Sequence, residues 1–229
     1  MPAKSKGAVV VIGDSHSRTL ADGCAALGLE THAFSISGQA WFQGKIHPSK
    51  EHGIMGTPGP PRKKMRALLD EMGVTNIFDK DLPFLCSFGF NLGRVNSAIS
   101  VHGHKAFSDM DPKVEGDDIS ISTAFLRTYL EHHSGRNFRV AKNIAKNAPL
   151  VMVVPPRTGD THNRRTIIDF VSTRYRQFGI DVVDPGDKMV TKSTGVVPKK
   201  YLNPDQIHGN EDYGKKVVGD LIKDGVLVV

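Results

Sequence analysis

The sequence has little sulfur and few aromatics. It contains two cysteines, Cys24 and Cys86, and a single tryptophan among 229 residues, and Phe, Tyr and Trp make up 7%. Two cysteines cannot build a disulfide framework or a four-thiolate zinc site, so both are read as free, buried and inert. Long apolar runs are also missing. None approaches the roughly 18–20 residues that a membrane-spanning helix needs. The run nearest the N-terminus, Ala8 to Ile12, ends at Gly13-Asp14 and is too short for a signal-peptide core, so a cytoplasmic chain is expected. Residues 1–7 are expected to form a flexible tail on one domain spanning 1–229.

What is present is globular in composition, with 39% hydrophobic and 24% charged residues. Lys and Arg number 30 against 24 Asp and Glu, a formal charge of +6. The basic residues concentrate at Arg62 to Arg66, Arg136 to Lys146 and Arg164 to Arg176. Such clusters can attract nucleic acid or anionic polysaccharide. Each is interleaved with apolar residues at helical spacing, and no zinc-finger, RNA-recognition or zipper pattern accompanies them. They are therefore read as solvated helix faces, and nucleic acid is not the expected partner. His102, His104, His132, His133 and His162 match no standard zinc spacing, so no metal is expected.

Five short β-branched runs alternate with helical periodicity. They are Ala8 to Ile12, Thr31 to Ile36, Pro83 to Phe88, Leu150 to Val154 and Ile180 to Val183. The helices between them are marked by Leu20, Cys24 and Leu27, by Met65 to Met72 after Pro61, by 121–147, by Ile167 to Tyr175, and by Val217 to Ile222. This alternation predicts a five-stranded parallel sheet with helices on both faces, an α/β/α sandwich in one domain. Residues 39–61 and 92–120 show no periodicity and are expected to be long irregular loops.

In open parallel sheets, reactive groups gather beyond the C-terminal strand ends. There this sequence places Gly13-Asp14-Ser15-His16, Ser37-Gly38-Gln39, Gly89-Phe90-Asn91 and Asp205-Gln206-Ile207-His208. Serine chemistry needs such a set. A hydroxyl becomes nucleophilic when an imidazole takes its proton, a carboxylate orients that imidazole, and N–H donors hold the oxyanion. An Asp three residues before a His can reach back to its ring within one turn. Other readings of single residues are a helix N-cap for Ser15 and turn residues for Gly38 and Asn91.

The blocks Val11-Ile12-Gly13-Asp14-Ser15, Gly38, Gly89-Phe90-Asn91 and Asp205-x-x-His208 occur in an order that resembles the SGNH or GDSL hydrolase superfamily, from residue 8 to about 222. The resemblance implies a flavodoxin-like sandwich and a serine esterase with no cofactor. Ser15 would be the nucleophile, His208 the base and Asp205 its orienting carboxylate. The Ser15 and Gly38 N–H groups and the Asn91 amide would form the oxyanion hole. Asp14 would tie down the nucleophile loop, and Asp14, His16 and Trp41 are the candidates for lining the substrate site. Trp41 and Phe42 either stack on a sugar ring or plug the core beneath their loop.

Two departures stand out. His16 occupies a position that is usually aliphatic, a GDSH variant similar to SGNH domains acting on O-acyl groups of bacterial polysaccharides. Leu92 stands where an Asp usually follows the Asn. The implied substrate is a glycan or small-molecule ester, with acetyl the expected acyl group. An O-acyltransferase using the same triad and a non-catalytic glycan-binding module are the alternatives.

Overall fold

The structure is a computed structural model, and it describes residues 7–90, 104–107, 119–159 and 162–229. Asn91, His102 and most of segment 92–120 lie outside the described residues. So do residues 1–6.

The chain begins with β1 (Ala8–Gly13), α1 (Ser15–Ala26), β2 (Glu30–Ser35) and a short α2 (Gly38–Phe42). A hairpin of β3 (Ile46–Ser49) and β4 (Gly53–Gly56) leads to α3 (Pro60–Met72) and β5 (Phe84–Ser87). Two further strands, β6 (His104–Phe107) and β7 (Ile119–Ser122), precede the long α4 (Thr123–Asn147). Then come β8 (Leu150–Val153), α5 (His162–Gln177), β9 (Asp181–Val183), α6 (Gly186–Met189), a 3-10 turn at Lys199–Tyr201 and α7 (Glu211–Lys223).

The main sheet has the order β2-β1-β5-β8-β9, and every pairing in it is parallel. This is the flavodoxin-like order 2-1-3-4-5, with a reversal of winding next to β1, where such sheets place their ligands. Alternation along the strands sends residues to two cores. Val10, Ile12, Phe84, Cys86 and Met152 pack against α3, α4 and α5. Val9, Val11, Leu85, Val151 and Val153 pack against α1 and α7. The expected α/β/α sandwich is therefore the observed one, and the strands read as continuous apolar runs because both of their faces are covered.

Segment 39–61 is not the irregular loop that its lack of periodicity predicts. The Ser37 hydroxyl caps α2 by accepting from the Ala40 N–H at 3.2 Å, and 46–56 forms an antiparallel hairpin. Three short elements of four or five residues leave too few positions for a period to show. Likewise β6 and β7, parallel partners in a small separate sheet, fall where irregular chain is expected. Gly7 is not part of a free tail, since its carbonyl accepts from the Glu30 N–H at 3.2 Å. The helix ends follow local chemistry. Pro60 and Pro61 occupy the first turn of α3, and Gly73 closes it in the left-handed region at φ 66°. Among the described residues no helix is long and apolar enough to cross a membrane.

Cys24 and Cys86 are free and buried. Burial pushes the Cys24 thiol up to about 12 and the Cys86 thiol higher still, which keeps both protonated.

Candidate active site

The end of β1 is held from several sides. The Asp14 N–H donates to the Ser87 carbonyl of β5 at 2.9 Å. The Asp14 carbonyl accepts from the Ser17 hydroxyl at 2.7 Å and from the Ser35 hydroxyl of β2 at 2.8 Å. The Asp14 side chain caps α1 by accepting from the His16 N–H at 3.0 Å. Ser15, the first residue of α1, thus emerges from a backbone fixed to both neighbouring strands.

The segment before α7 supplies the partners. It is closed by a bridge between Leu202 and Gly209, and the Asn203 N–H donates to the His208 carbonyl at 2.8 Å. Asp205 Oδ1 accepts from the N–H groups of Ile207, at 2.8 Å, and His208, at 3.0 Å. Gln206 takes a left-handed φ of 57° to make this turn. Asp205 Oδ2 lies 2.7 Å from His208 Nδ1, and His208 Nε2 lies 2.8 Å from Ser15 Oγ. The backbone N–H of His208, its ring, and the Ile207 N–H hold the Asp205 carboxyl well below the usual carboxylate range. An ionised carboxylate only accepts, so neutral His208 carries its hydrogen on Nδ1 and turns the Nε2 lone pair towards the Ser15 hydroxyl. Ser15 and His208 are both partly exposed, so a substrate can reach the pair.

The segment is also tied directly to the nucleophile helix. The Thr19 hydroxyl of α1 donates to the Gly209 carbonyl at 2.7 Å, one residue beyond His208. Thr19 is absent from the sequence-based set. So are Ser17 and Ser35, whose hydroxyls hold the Asp14 carbonyl. Small hydroxyl residues at strand ends and in first helical turns are too common to single out. Gly23 and Gly214, inside α1 and α7, did carry a signal, because glycine in a helix interior is costly and needs a packing reason.

Of the candidates for lining the substrate site, His16 is the one beside the reacting groups. Its ring centroid lies 4.7 Å from that of His208, with the planes tilted by 34°. Trp41 is corrected. Its indole is 1% exposed and stacks on Phe88 at 4.2 Å, nearly parallel, so no sugar ring can reach it. It is the plug beneath α2. Phe42 is partly buried and stacks on His133 at 5.1 Å. Asp14 is 0% exposed and cannot touch substrate, so its role is to hold the loop.

Gly38 opens α2 just past the end of β2, whose last residue Ser35 pairs with Gly13. Gly89 follows β5 at a φ of 82°, and a Cβ there would collide with the Tyr175 hydroxyl, which itself donates to the Phe88 carbonyl at 3.1 Å. The block after β5 therefore requires glycine at 89 for two reasons. Among the described residues no group of three or more His, Cys, Asp or Glu side chains could hold a metal ion.

Burial pushes the Asp14 carboxyl up to about 7, opposed by the His16 N–H and the nearby His208. Its Oδ2 is buried without a hydrogen-bond partner. The native state therefore binds the Asp14 proton more tightly than the unfolded chain does. Stability is fully preserved below about pH 4, falls as the pH rises to about 7, and is level above that, a span of about 4 kcal/mol at most. The depressed Asp205 acts below this window, with the opposite sign. Asp14→Asn keeps a capping oxygen and removes the titration. Denaturant unfolding between pH 4 and 8 is expected to show a shallower decline for the variant than for the wild type. Parallel pH profiles would assign the decline to other groups.

No family model matches the chain, and no curated protein matches it. Solved structures do resemble it. One is the psychrotrophic esterase EstA from Pseudoalteromonas sp., in a structure inhibited by monoethylphosphonate. It is 15% identical over 96% of this chain and 99% of that one, with a TM-score of 0.47. Another is a candidate acylhydrolase from Bacteroides fragilis, 13% identical over 98% of this chain and 88% of that one, with a TM-score of 0.48. At these identities and scores neither likeness assigns an activity to this chain.

Proposed function

We propose that this protein is a serine esterase of the SGNH type. The observation that carries the reading is the continuous relay from Asp205 through His208 to Ser15, with heavy-atom separations of 2.7 and 2.8 Å. Both lie within the 2.6–3.2 Å or so that proton transfer requires.

The chemistry follows from the geometry. Ser15 Oγ attacks the ester carbonyl as its proton passes to His208 Nε2. Asp205 stabilises the resulting imidazolium without taking the proton. The tetrahedral oxyanion is held by the N–H groups of Ser15 and Gly38 and by the Asn91 amide, all three assigned from the sequence. Collapse breaks the bond to the alcohol, which leaves with the proton from His208. Water then gives up a proton to the same nitrogen, adds to the acyl-Ser15, and releases the acid and free Ser15. Nothing in this cycle needs a metal or cofactor. The partial exposure of the pair suits an ester on a larger molecule, and an acetyl group on a carbohydrate is the substrate proposed.

The test is a panel of p-nitrophenyl esters from acetyl to octanoyl, together with mass-spectrometric mapping after treatment with an organophosphonate. The expected results are turnover that is fastest for acetyl and a single phosphonyl adduct on Ser15. No turnover at any chain length together with no adduct would leave a non-catalytic protein.

A further inference from the structure

A cavity of about 440 Å³ lies between α2, α3 and the chain leaving β2. Its size falls within the range of small-ligand sites. One wall is Ile36-Ser37, the continuation of β2 beyond Ser35, which pairs with Gly13. Adjacent parallel strands lie about 4.8 Å apart, so this wall runs one strand away from the backbone that presents Ser15.

Lys45 and Lys64 are among the residues that line this space, and no Asp or Glu lines it. Lys64 is fixed close to the catalytic loop, because its Nζ donates to the Ser35 carbonyl at 3.2 Å while the Ser35 hydroxyl donates to the Asp14 carbonyl. Lys45 is rooted in a rigid stretch. Its N–H donates to the Ala40 carbonyl and its carbonyl accepts from the Thr57 N–H, at 2.9 and 2.8 Å. Arg157, Arg174, Lys188 and Lys216 pair with carboxylates. Among the described residues Lys45 and Lys64, like most of the other lysines and arginines, do not. Two unmatched cations in one concavity create a positive potential that no residue of the cavity offsets. The remaining polar lining, including Ser37, Gln39 and Gln43, supplies hydroxyl and amide groups suited to a polyhydroxylated ring.

We infer that this cavity receives the acidic group of the substrate, so that the physiological ester is an O-acylated sugar carrying a carboxylate, sulfate or phosphate. The inference rests on the esterase reading of Ser15, Asp205 and His208. It adds the charge of the alcohol portion, which that triad does not specify.

The test measures acetate release from O-acetylated methyl glycosides that differ only in the acidic group. One is neutral, and the others are the uronate, the sulfate ester and the phosphate ester. At low salt the wild type is expected to favour at least one acidic glycoside over the neutral one by about tenfold in kcat/KM, the equivalent of 1.4 kcal/mol. The preference is expected to reside in KM and to shrink in about 0.5 M NaCl, where the screening length is only a few ångströms. In the Lys45→Met/Lys64→Met protein the ratio should fall to about one, and Lys64→Arg should retain most of it. A melting temperature within a few degrees of wild type shows that the double variant is folded. The acidic glycoside that is preferred identifies the group. Equal kcat/KM for neutral and acidic glycosides, or no release from any of them by a protein that hydrolyses p-nitrophenyl acetate, overturns the inference and leaves the esterase reading standing. A protein that also fails on p-nitrophenyl acetate and takes no phosphonate on Ser15 overturns both.

Discussion

Ser15→Ala is expected to fold as the wild type does and to lose ester turnover by on the order of 10⁴- to 10⁶-fold. The side chain deleted is one partly exposed hydroxyl whose partner is His208 Nε2 at 2.8 Å, so little packing is lost with it. His208→Ala should fall about as far, since without a base the hydroxyl keeps its proton. Combining the two should cost little more than either alone, because each removes the same step. Asp205→Asn is the more discriminating variant. It can still accept from the Ile207 and His208 N–H groups through Oδ1, so the turn survives. Its amide, however, can donate to Nδ1, placing the ring hydrogen on Nε2, where it opposes removal of the Ser15 proton. A loss of about 10⁴ in kcat with KM nearly unchanged is the expected result. Steady-state kinetics on p-nitrophenyl acetate, with melting curves as the control for folding, decides the matter. Near-wild-type turnover in folded His208→Ala would mean that another group is the base.

The second large effect is expected at a distance from the site. Helices α1 and α7 lie side by side on one face of the sheet. Ser15 begins the first, and His208 stands just ahead of the second. Their approach depends on Gly23 and Gly214. A Cβ on Gly214 would enter the shell of the Thr19 carbonyl oxygen, and one on Gly23 would meet the backbone of Gly214. Because rigid backbone stands on both sides, Gly214→Val can be accommodated only by parting the helices. Overpacking of this kind costs about 1–3 kcal/mol or more. For a chain of this size that is a fall of roughly 2–12 °C in melting temperature. Parting the helices also strains the Thr19–Gly209 hydrogen bond and lengthens the Ser15–His208 contact, so kcat should fall more than stability alone explains. Gly219 is the internal control. It lies in the same helix, with nothing within 4 Å of the position a Cβ would take. Gly219→Ala should therefore be stabilising, by about 0.5–1 kcal/mol. The opposite signs at 214 and 219 can be read by calorimetry. Equal effects at the two sites would remove the close contact as the explanation.

The sequence by itself determined the layer architecture. Runs such as Val9 to Ile12 and Leu150 to Val153, apolar on both faces, can be buried only between helices, and the intervening 3.6-residue periodicity supplies those helices. It also determined the Asp205–His208 pair, because that contact is local, spanning three residues within one turn. Other features were decided only by the tertiary structure. The hairpin at 46–56 and the capped turn at 38–42 are too short to show a period and are held by their neighbours. Trp41 offered two readings in the sequence, and only the packing of Phe88 against it puts the indole in the core. The meeting of Ser15 with His208, 193 residues apart in the chain, is set by two helix glycines, a threonine hydroxyl and the strand order. No local pattern encodes that separation, because it is the sum of contacts each made by a different part of the chain.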